Sequence, residues 1–184
     1  MTKLILITKI FFKLKIFLFL ILFSFQALAD DKNKIDNLVI IGSENAKIKI
    51  KLFSSFTCPH CASFHINEVP EIKKQYVETG IAQLIFIDFP LDQAAFNAAK
   101  LIHCLDKNLQ MEYMDTIYEE QNKWTSGSNI EEININLKKI VKNLGISSSN
   151  FDKCLINESI SDDILNGRVE ASKKYSINPN MFGK

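Results

Sequence analysis

Two cysteines separated by Pro59 and His60 constrain the fold of this chain more than any other feature of its sequence. They follow residues 46–53, in which isoleucine and leucine alternate with lysine as they do in a β-strand with one buried face. Pro59 suits the first turn of a helix, because the N–H that proline lacks would have no partner there. The sequence therefore predicts a strand, a short loop, and a helix that begins at Cys58-Pro59-His60-Cys61.

The remaining hydrophobic pattern predicts two further strands and a long helical region. Residues 38–41 are a short apolar run, and residues 81–89 (IAQLIFIDF) are rich in the β-branched and aromatic side chains typical of a buried strand. From residue 92 to about residue 174, apolar side chains recur with helical spacing. We therefore expect an α/β fold with a right-handed βαβ unit, a partly parallel sheet and an α-helical subdomain at about 92–174.

The first 29 residues have the composition of a secretory signal peptide. They contain four lysines and no acidic side chain, and an apolar run at 16–25 is followed by Ala27 and Ala29. We therefore predict a cleaved signal at 1–29 and a mature domain at 30–184, which works outside the cytoplasm, where disulfide bonds persist. An uncleaved anchor in the inner membrane is the alternative, although the apolar run is shorter than the roughly 20 residues that span a bilayer.

The mature part of the chain carries slightly more acidic than basic side chains. Proteins that bind nucleic acid neutralise its phosphates with concentrated lysine and arginine. The composition therefore excludes nucleic acid as the main partner, and the length of 184 residues favours one domain.

The chemistry of the motif follows from its place at a helix N-terminus. Cys58 would lie at the positive end of the helix dipole, beside backbone N–H groups without helical partners, and both effects favour its thiolate. Pro59 opens the helix, and His60 would add a further partner for the thiolate. We therefore predict that Cys58 is the reactive nucleophile and that Cys61, further into the helix and less accessible, is the resolving thiol.

Half of a zinc site is an alternative interpretation of two cysteines at this spacing. Such a site needs a second pair of ligands, such as another CxxC or an HxxxH. Cys104 and Cys154 are far apart in the sequence, and the three histidines have no such register. We therefore predict a redox motif and no metal site, with a disulfide inert to exchange as a further alternative.

Residues 53–61 (FSSFTCPHC) resemble the active-site segment of the DsbA family of thiol-disulfide oxidoreductases, within the thioredoxin superfamily. Residues 88–91 (DFPL), the alanine-rich segment after them, and residues 151–154 (FDKC) are similar to later segments of that family. The resemblance implies a thioredoxin-like fold with an inserted α-helical subdomain. It also implies a periplasmic enzyme that donates disulfide bonds to exported proteins with free thiols, is reoxidised by a membrane-bound partner and uses no bound cofactor.

Cys104 and Cys154 are the other two cysteines, and four cysteines allow three pairings. If Cys58 pairs with Cys61, a bridge between Cys104 and Cys154 is what remains. A second bridge of this kind is similar to one that some DsbA-like proteins carry. Two buried free thiols are the alternative.

The C-terminal part of the sequence departs from the pattern that the resemblance implies. Thioredoxin-like folds place a cis-proline opposite the CxxC motif, and Pro179, preceded by Asn178, is the candidate here. The few residues after Pro179 are too short for two closing strands, which need about five or six residues each. We therefore expect a C-terminally incomplete domain that lacks the closing β-hairpin and helix. Leu52 stands where some family members carry an acid on the strand before the motif.

The sequence therefore predicts a disulfide-donating oxidoreductase, with two alternatives left open. A disulfide isomerase or reductase would use the same motif. A truncated, non-catalytic binding module would hold a client protein or a metal without turnover.

Overall fold

Within residues 38–182, which the computed structural model describes, the sheet has three strands. They are β1 (Val39–Ile41), β2 (Ile48–Ser54) and β3 (Ala82–Asp88), in the order β1-β3-β2. β3 pairs in parallel with β2 and antiparallel with β1, so that the predicted partly parallel sheet is confirmed. The predicted signal peptide at 1–29 lies outside the described residues.

The central strand β3 is buried because nearly all of its side chains are apolar, and Leu84 is fully inaccessible. β2 lies at an edge of the sheet, and its alternating sequence places Ile50 and Leu52 against the core while Lys51 is exposed. In the parallel register Ser54 lies opposite Asp88. The two strands therefore end at the same level, where the CxxC motif follows.

Two short helices connect β2 to β3. They are α1 (Pro59–Asn67) and α2 (Val69–Ile72), and α2 continues as a π-helical turn (Lys73–Val77). The break between α1 and α2 comes just before Pro70, because proline has no N–H to donate and restricts the residue before it. Gly80, with φ of 76°, ends this region, because glycine adopts a positive φ without steric cost.

The predicted helical subdomain is also confirmed, and none of the helices in the described part of the chain is both long and apolar enough to cross a membrane. Its helices are α3 (Gln93–His103), α4 (Gln110–Glu119), α5 (Gln121–Trp124), α6 (Ile130–Asn143), α7 (Ser148–Leu155) and α8 (Glu158–Tyr175).

The alanine-rich helix α3 lies in the core of this subdomain. Its small side chains allow the neighbouring helices to approach closely, and eight of its 11 residues are buried. Asp92 caps the helix by accepting a hydrogen bond from the N–H of Ala95 at 2.8 Å. The hydroxyl of Tyr113 in α4 donates to the carbonyl of Ala98 at 2.7 Å, which fixes α4 against α3.

A disulfide bond joins Cys104, directly after α3, to Cys154 in α7, with the Cα atoms 6.3 Å apart. Of the two possibilities that the sequence left open, the structure therefore favours the bridge over two free thiols. The bridge ties two helices of the subdomain that are 50 residues apart in the chain.

Replacing both Cys104 and Cys154 by alanine is expected to lower the free energy of unfolding by about 3–4 kcal/mol. The reason is that the bridge restricts a loop of 50 residues in the unfolded chain. Urea denaturation of both proteins under non-reducing conditions measures the difference. An unchanged midpoint and slope would contradict the expected contribution.

Candidate active site

Cys58 occupies the N-cap position of α1. Its backbone is extended, with φ of −81° and ψ of 118°, and its Sγ accepts a hydrogen bond from the backbone N–H of Cys61 at 3.2 Å. Pro59 takes a position in the first turn, as predicted. The Cys58 sulfur therefore lies at the positive end of the helix, where N–H groups without helical partners favour negative charge.

The loop between β2 and α1 is held from two sides. The hydroxyl of Ser55 accepts a hydrogen bond from the backbone N–H of Leu91 at 3.3 Å. The buried side chain of Gln121, in α5, donates from Nε2 to the carbonyls of Phe56 and Cys58 at 2.8 and 3.1 Å. Gln121 could not be identified from the sequence, because no local pattern marks a glutamine that supports a distant loop.

Cys58 and Cys61 are both free thiols, but their accessibility is the reverse of the prediction. Cys58 is 2% exposed, whereas Cys61 is partly exposed. The cause is Phe182, whose ring stacks on Phe89 with 5.1 Å between centroids and whose carbonyl accepts a hydrogen bond from the Cys58 Sγ at 3.4 Å. A residue distant in sequence therefore covers the predicted nucleophile.

Pro179 begins a 3₁₀ turn (Pro179–Phe182), and no peptide bond among the described residues is cis. The prediction of a cis-proline at Pro179 is therefore wrong. The fixed φ of a trans proline suits the start of a helical turn. The side-chain oxygen of Asn178 accepts a hydrogen bond from the N–H of Asn180 at 3.1 Å and stabilises this start. The segment that contains Pro179 nevertheless contacts Cys58, but the contact is made by Phe182 and not by Pro179.

Burial raises the pKa of the Cys61 thiol to about 12. The hydrogen bond and the charge of Cys58 act in the same direction, while a backbone hydrogen bond at Ser55 opposes them. The thiolate is the nucleophile in disulfide exchange. Cys61 therefore has to lose a proton that its surroundings hold tightly.

A mostly apolar cavity of about 310 Å³ opens beside the two thiols. Its walls come from β2, β3, α1, α4 and the segment 177–182. His60, which is exposed in the first turn of α1, lines the cavity, and its partnership with the Cys58 thiolate stays a prediction. An apolar cavity with a few convergent polar groups is typical of a binding site.

His65 lies one helical turn after Cys61, and the sequence alone assigns no role to it. It is 5% exposed, and its Nε2 lies 2.7 Å from Oδ1 of Asp115 in α4. Its ring packs on Tyr118 with 4.7 Å between centroids. The available signal was the spacing of four residues from Cys61, because this spacing puts two side chains on one helix face.

The described residues contain no group of three or more His, Cys, Asp or Glu side chains that could hold a metal ion. Cys104 and Cys154 are bonded to each other, so that they supply no second pair of ligands to Cys58 and Cys61.

Comparisons with known proteins find a family model that matches most of the chain and several similar proteins. The family model described as thioredoxin matches residues 34–180. A Rickettsia bellii protein named as a protein-disulfide oxidoreductase is 28% identical over 153 residues, which are 81% of this chain and 58% of that protein. A Bacillus anthracis protein named as disulfide bond formation protein D is 28% identical over 137 residues, which are 72% of this chain and 63% of that protein.

The crystal structure of Wolbachia pipientis α-DsbA1 is similar with a TM-score of 0.72 and 29% identity, over 79% of this chain and 72% of that chain. This chain spans somewhat more than half the length of the two curated relatives.

Because burial is the largest cause, the pKa of Cys61 is expected to stay above that of an ordinary cysteine when Cys58 is replaced by alanine. Titrating the thiolate absorbance of the Cys58→Ala variant measures it. Unfolded protein in denaturant serves as the reference, and equal values in the two states would contradict the effect of burial.

Replacing Phe182 by alanine is expected to increase the rate at which a thiol reagent modifies Cys58 severalfold, because the ring that stacks on Phe89 and anchors the covering carbonyl is removed. Alkylation followed by mass spectrometry, in a Cys61→Ser background, measures the rate. Met181→Ala is the control, since Met181 is 62% exposed in the same turn. Equal rates for the two variants would show that Phe182 does not limit access.

Proposed function

Since this chain belongs to the thioredoxin superfamily and, within it, to the DsbA family of thiol-disulfide oxidoreductases, we propose that it donates disulfide bonds to exported proteins through Cys58 and Cys61. The single observation that carries the proposal is the hydrogen bond of 3.2 Å from the N–H of Cys61 to the Sγ of Cys58. It places the Cys58 sulfur against a backbone N–H at the helix end, where a thiolate is stabilised.

The proposed reaction starts from the form in which Cys58 and Cys61 are bridged. A substrate thiolate attacks the Cys58 sulfur, the bridge breaks, and Cys61 leaves as a thiolate that takes up a proton. A second substrate thiolate then attacks the substrate sulfur of this mixed disulfide, and Cys58 leaves as a thiolate. The substrate gains a disulfide bond, and its two electrons remain on the reduced Cys58 and Cys61.

The substrates would be newly exported proteins with free thiols. The apolar lining of the cavity next to Cys58 supports this, because incompletely folded chains expose apolar side chains that such a cavity can bury. Phe182 would have to move away from Cys58 when a substrate sulfur approaches.

A membrane-bound partner would restore the bridge between Cys58 and Cys61 by accepting two electrons, as the family membership implies. We propose the periplasm as the location, with attachment to the inner membrane as the alternative. The bridge between Cys104 and Cys154 supports an oxidising compartment, since disulfide bonds are rare where thiols are kept reduced. Fractionation of a bacterium that produces the full chain tests the location.

The oxidised chain is expected to convert a reduced dithiol peptide to its disulfide, and Cys58→Ser is expected to abolish this activity. Cys61→Ser is expected to be inactive as well, because Cys58 then has no second thiol with which to form the bridge that would be donated. Chromatography and mass spectrometry of the peptide and the protein under non-reducing conditions measure both results.

The double variant Cys104→Ala/Cys154→Ala is the matched control, because it removes two cysteines outside the motif. It is expected to keep oxidising the peptide. Activity that survives in Cys58→Ser would overturn the proposal. Binding of the peptide without oxidation would favour the binding module, and a rate of insulin reduction above the rate of peptide oxidation would favour a reductase.

A further inference from the structure

Disulfide exchange through this motif requires a place for the proton of Cys61. When Cys61 attacks a mixed disulfide at Cys58, its S–H has to give up a proton, and when Cys61 leaves it has to take one up. The partly exposed side chain of Cys61 lines the cavity, and Leu52, on the strand beside it, contributes an apolar wall to the same cavity. A proton acceptor has to come from elsewhere in the cavity.

Few side chains of the described cavity walls carry a titratable group. Those outside the CxxC thiols are Lys51 from β2, His60 and His65 from α1, and Tyr118 from α4. The wall from β3 is Phe86, and the segment 177–182 contributes only apolar side chains. The choice is therefore among four groups.

Three of these groups are poorly suited to accept a proton from Cys61. The ammonium group of Lys51 is a hydrogen-bond donor without a free lone pair, and it donates to the hydroxyl of Tyr175 at 2.5 Å. Burial raises the pKa of Tyr118 far above its ordinary value, which keeps its hydroxyl protonated. His60 is exposed in the first turn of α1, so that solvent surrounds its ring.

His65 has the geometry that an acceptor needs. It lies four residues after Cys61 in α1 and hence on the same face of the helix. Its Nε2 lies 2.7 Å from the carboxylate of Asp115, and this pairing places the N–H on Nε2 and leaves the lone pair on Nδ1. Packing on Tyr118, at 4.7 Å, fixes the plane of the ring. The imidazole is 5% exposed and so is held in one orientation.

We propose that His65, oriented by Asp115, accepts the proton of Cys61 through water in the shared cavity and returns it when Cys61 leaves. This inference rests on the proposed function. In the resolving step the Cys61 sulfur bonds to the Cys58 sulfur, the bond from Cys58 to the substrate sulfur breaks, and the substrate leaves as a thiolate. The proton of Cys61 moves to His65, and Asp115 stabilises the imidazolium that forms.

The hydroxyl of Tyr118 lines the same cavity and lies within hydrogen-bonding reach of the side chain of Ser54. These two polar groups stand on the wall of a cavity of about 310 Å³, which has room for water. Water held in this cavity would supply the path for the proton between Cys61 and His65.

The two thiols can be followed separately with Ellman's reagent in a Cys104–Cys154 bridged protein that is reduced at the motif. Attack by Cys58 releases one thionitrobenzoate and leaves a mixed disulfide, and attack by Cys61 on this mixed disulfide releases a second. In His65→Gln we expect the second release to slow about 100-fold or more at neutral pH, a loss of the size typical for general base catalysis. The first release should keep its rate.

The pH profile distinguishes proton transfer from a structural effect. In the alkaline range hydroxide removes the proton from Cys61 directly, so that the wild-type and His65→Gln rates of the second release should converge. A variant with displaced thiols would stay slow at every pH. The other titratable groups of the cavity walls, Lys51, His60 and Tyr118, are present in both proteins, so that the ratio of the two rates reports on the change at position 65.

His103→Gln is the matched control, because His103 is also buried and also binds a carboxylate, with Nε2 2.6 Å from Oδ2 of Asp88, but does not line the cavity. It is expected to leave the rate of the second release unchanged. Asp115→Asn changes a side chain that is 57% exposed, and it should slow the second release even if His65→Gln fails to fold.

The outcomes separate the two proposals. If the wild-type chain shows no second release, disulfide exchange through Cys61 is absent and the proposed function fails. If the second release occurs and keeps its rate in folded His65→Gln, or in Asp115→Asn where His65→Gln does not fold, the role of His65 is refuted and the proposed function stands.

Discussion

The hydrogen bond from the Cys61 N–H to the Cys58 sulfur depends on the positions of a strand, a loop and a helix. It exists because β2 ends at Ser54 and α1 begins directly after Cys58, which makes this cysteine the cap of the helix. A shift of the helix start by one residue would turn the sulfur away from the free N–H groups. Gln121 prevents such a shift, since it holds the last carbonyls of the loop from the helical subdomain. The insertion therefore takes part in building the site.

The two thiols of the motif lie in contrasting environments, although they are close together in the structure. Cys58 has the amide groups of a helix end, which favour a charged sulfur. Cys61 has an apolar cavity, which favours a neutral one and raises its pKa. Such a pair suits an exchange in which one sulfur is repeatedly attacked and displaced while the other closes the ring. The difference also creates a need for proton transfer at Cys61, and His65, hydrogen-bonded to Asp115, lines the same cavity.

Most of the architecture could be predicted from local patterns. Three local patterns reflect how one element packs against the core, and each predicted element is present in the structure. They are the alternation in residues 46–53, the apolar run at 81–89 and the helical spacing after residue 92. The position of the CxxC motif at a helix start could be predicted for the same reason, because Pro59 and the strand before the motif mark where the helix begins. The burial of Cys58 beneath Phe182 could not be predicted. The two residues are 124 positions apart in the chain, and no local pattern indicates a contact at that separation.

The sequence by itself determined the strand, the helix start and the position of the two motif thiols, because backbone sterics and hydrophobic periodicity act over a few residues. Only the tertiary structure decided which thiol is exposed, that the bond before Pro179 is trans, and which carboxylate meets His65. These features depend on packing between segments that are 50 or more residues apart. The free energy of such packing comes from the whole arrangement of the core, and no single segment of the sequence contains it.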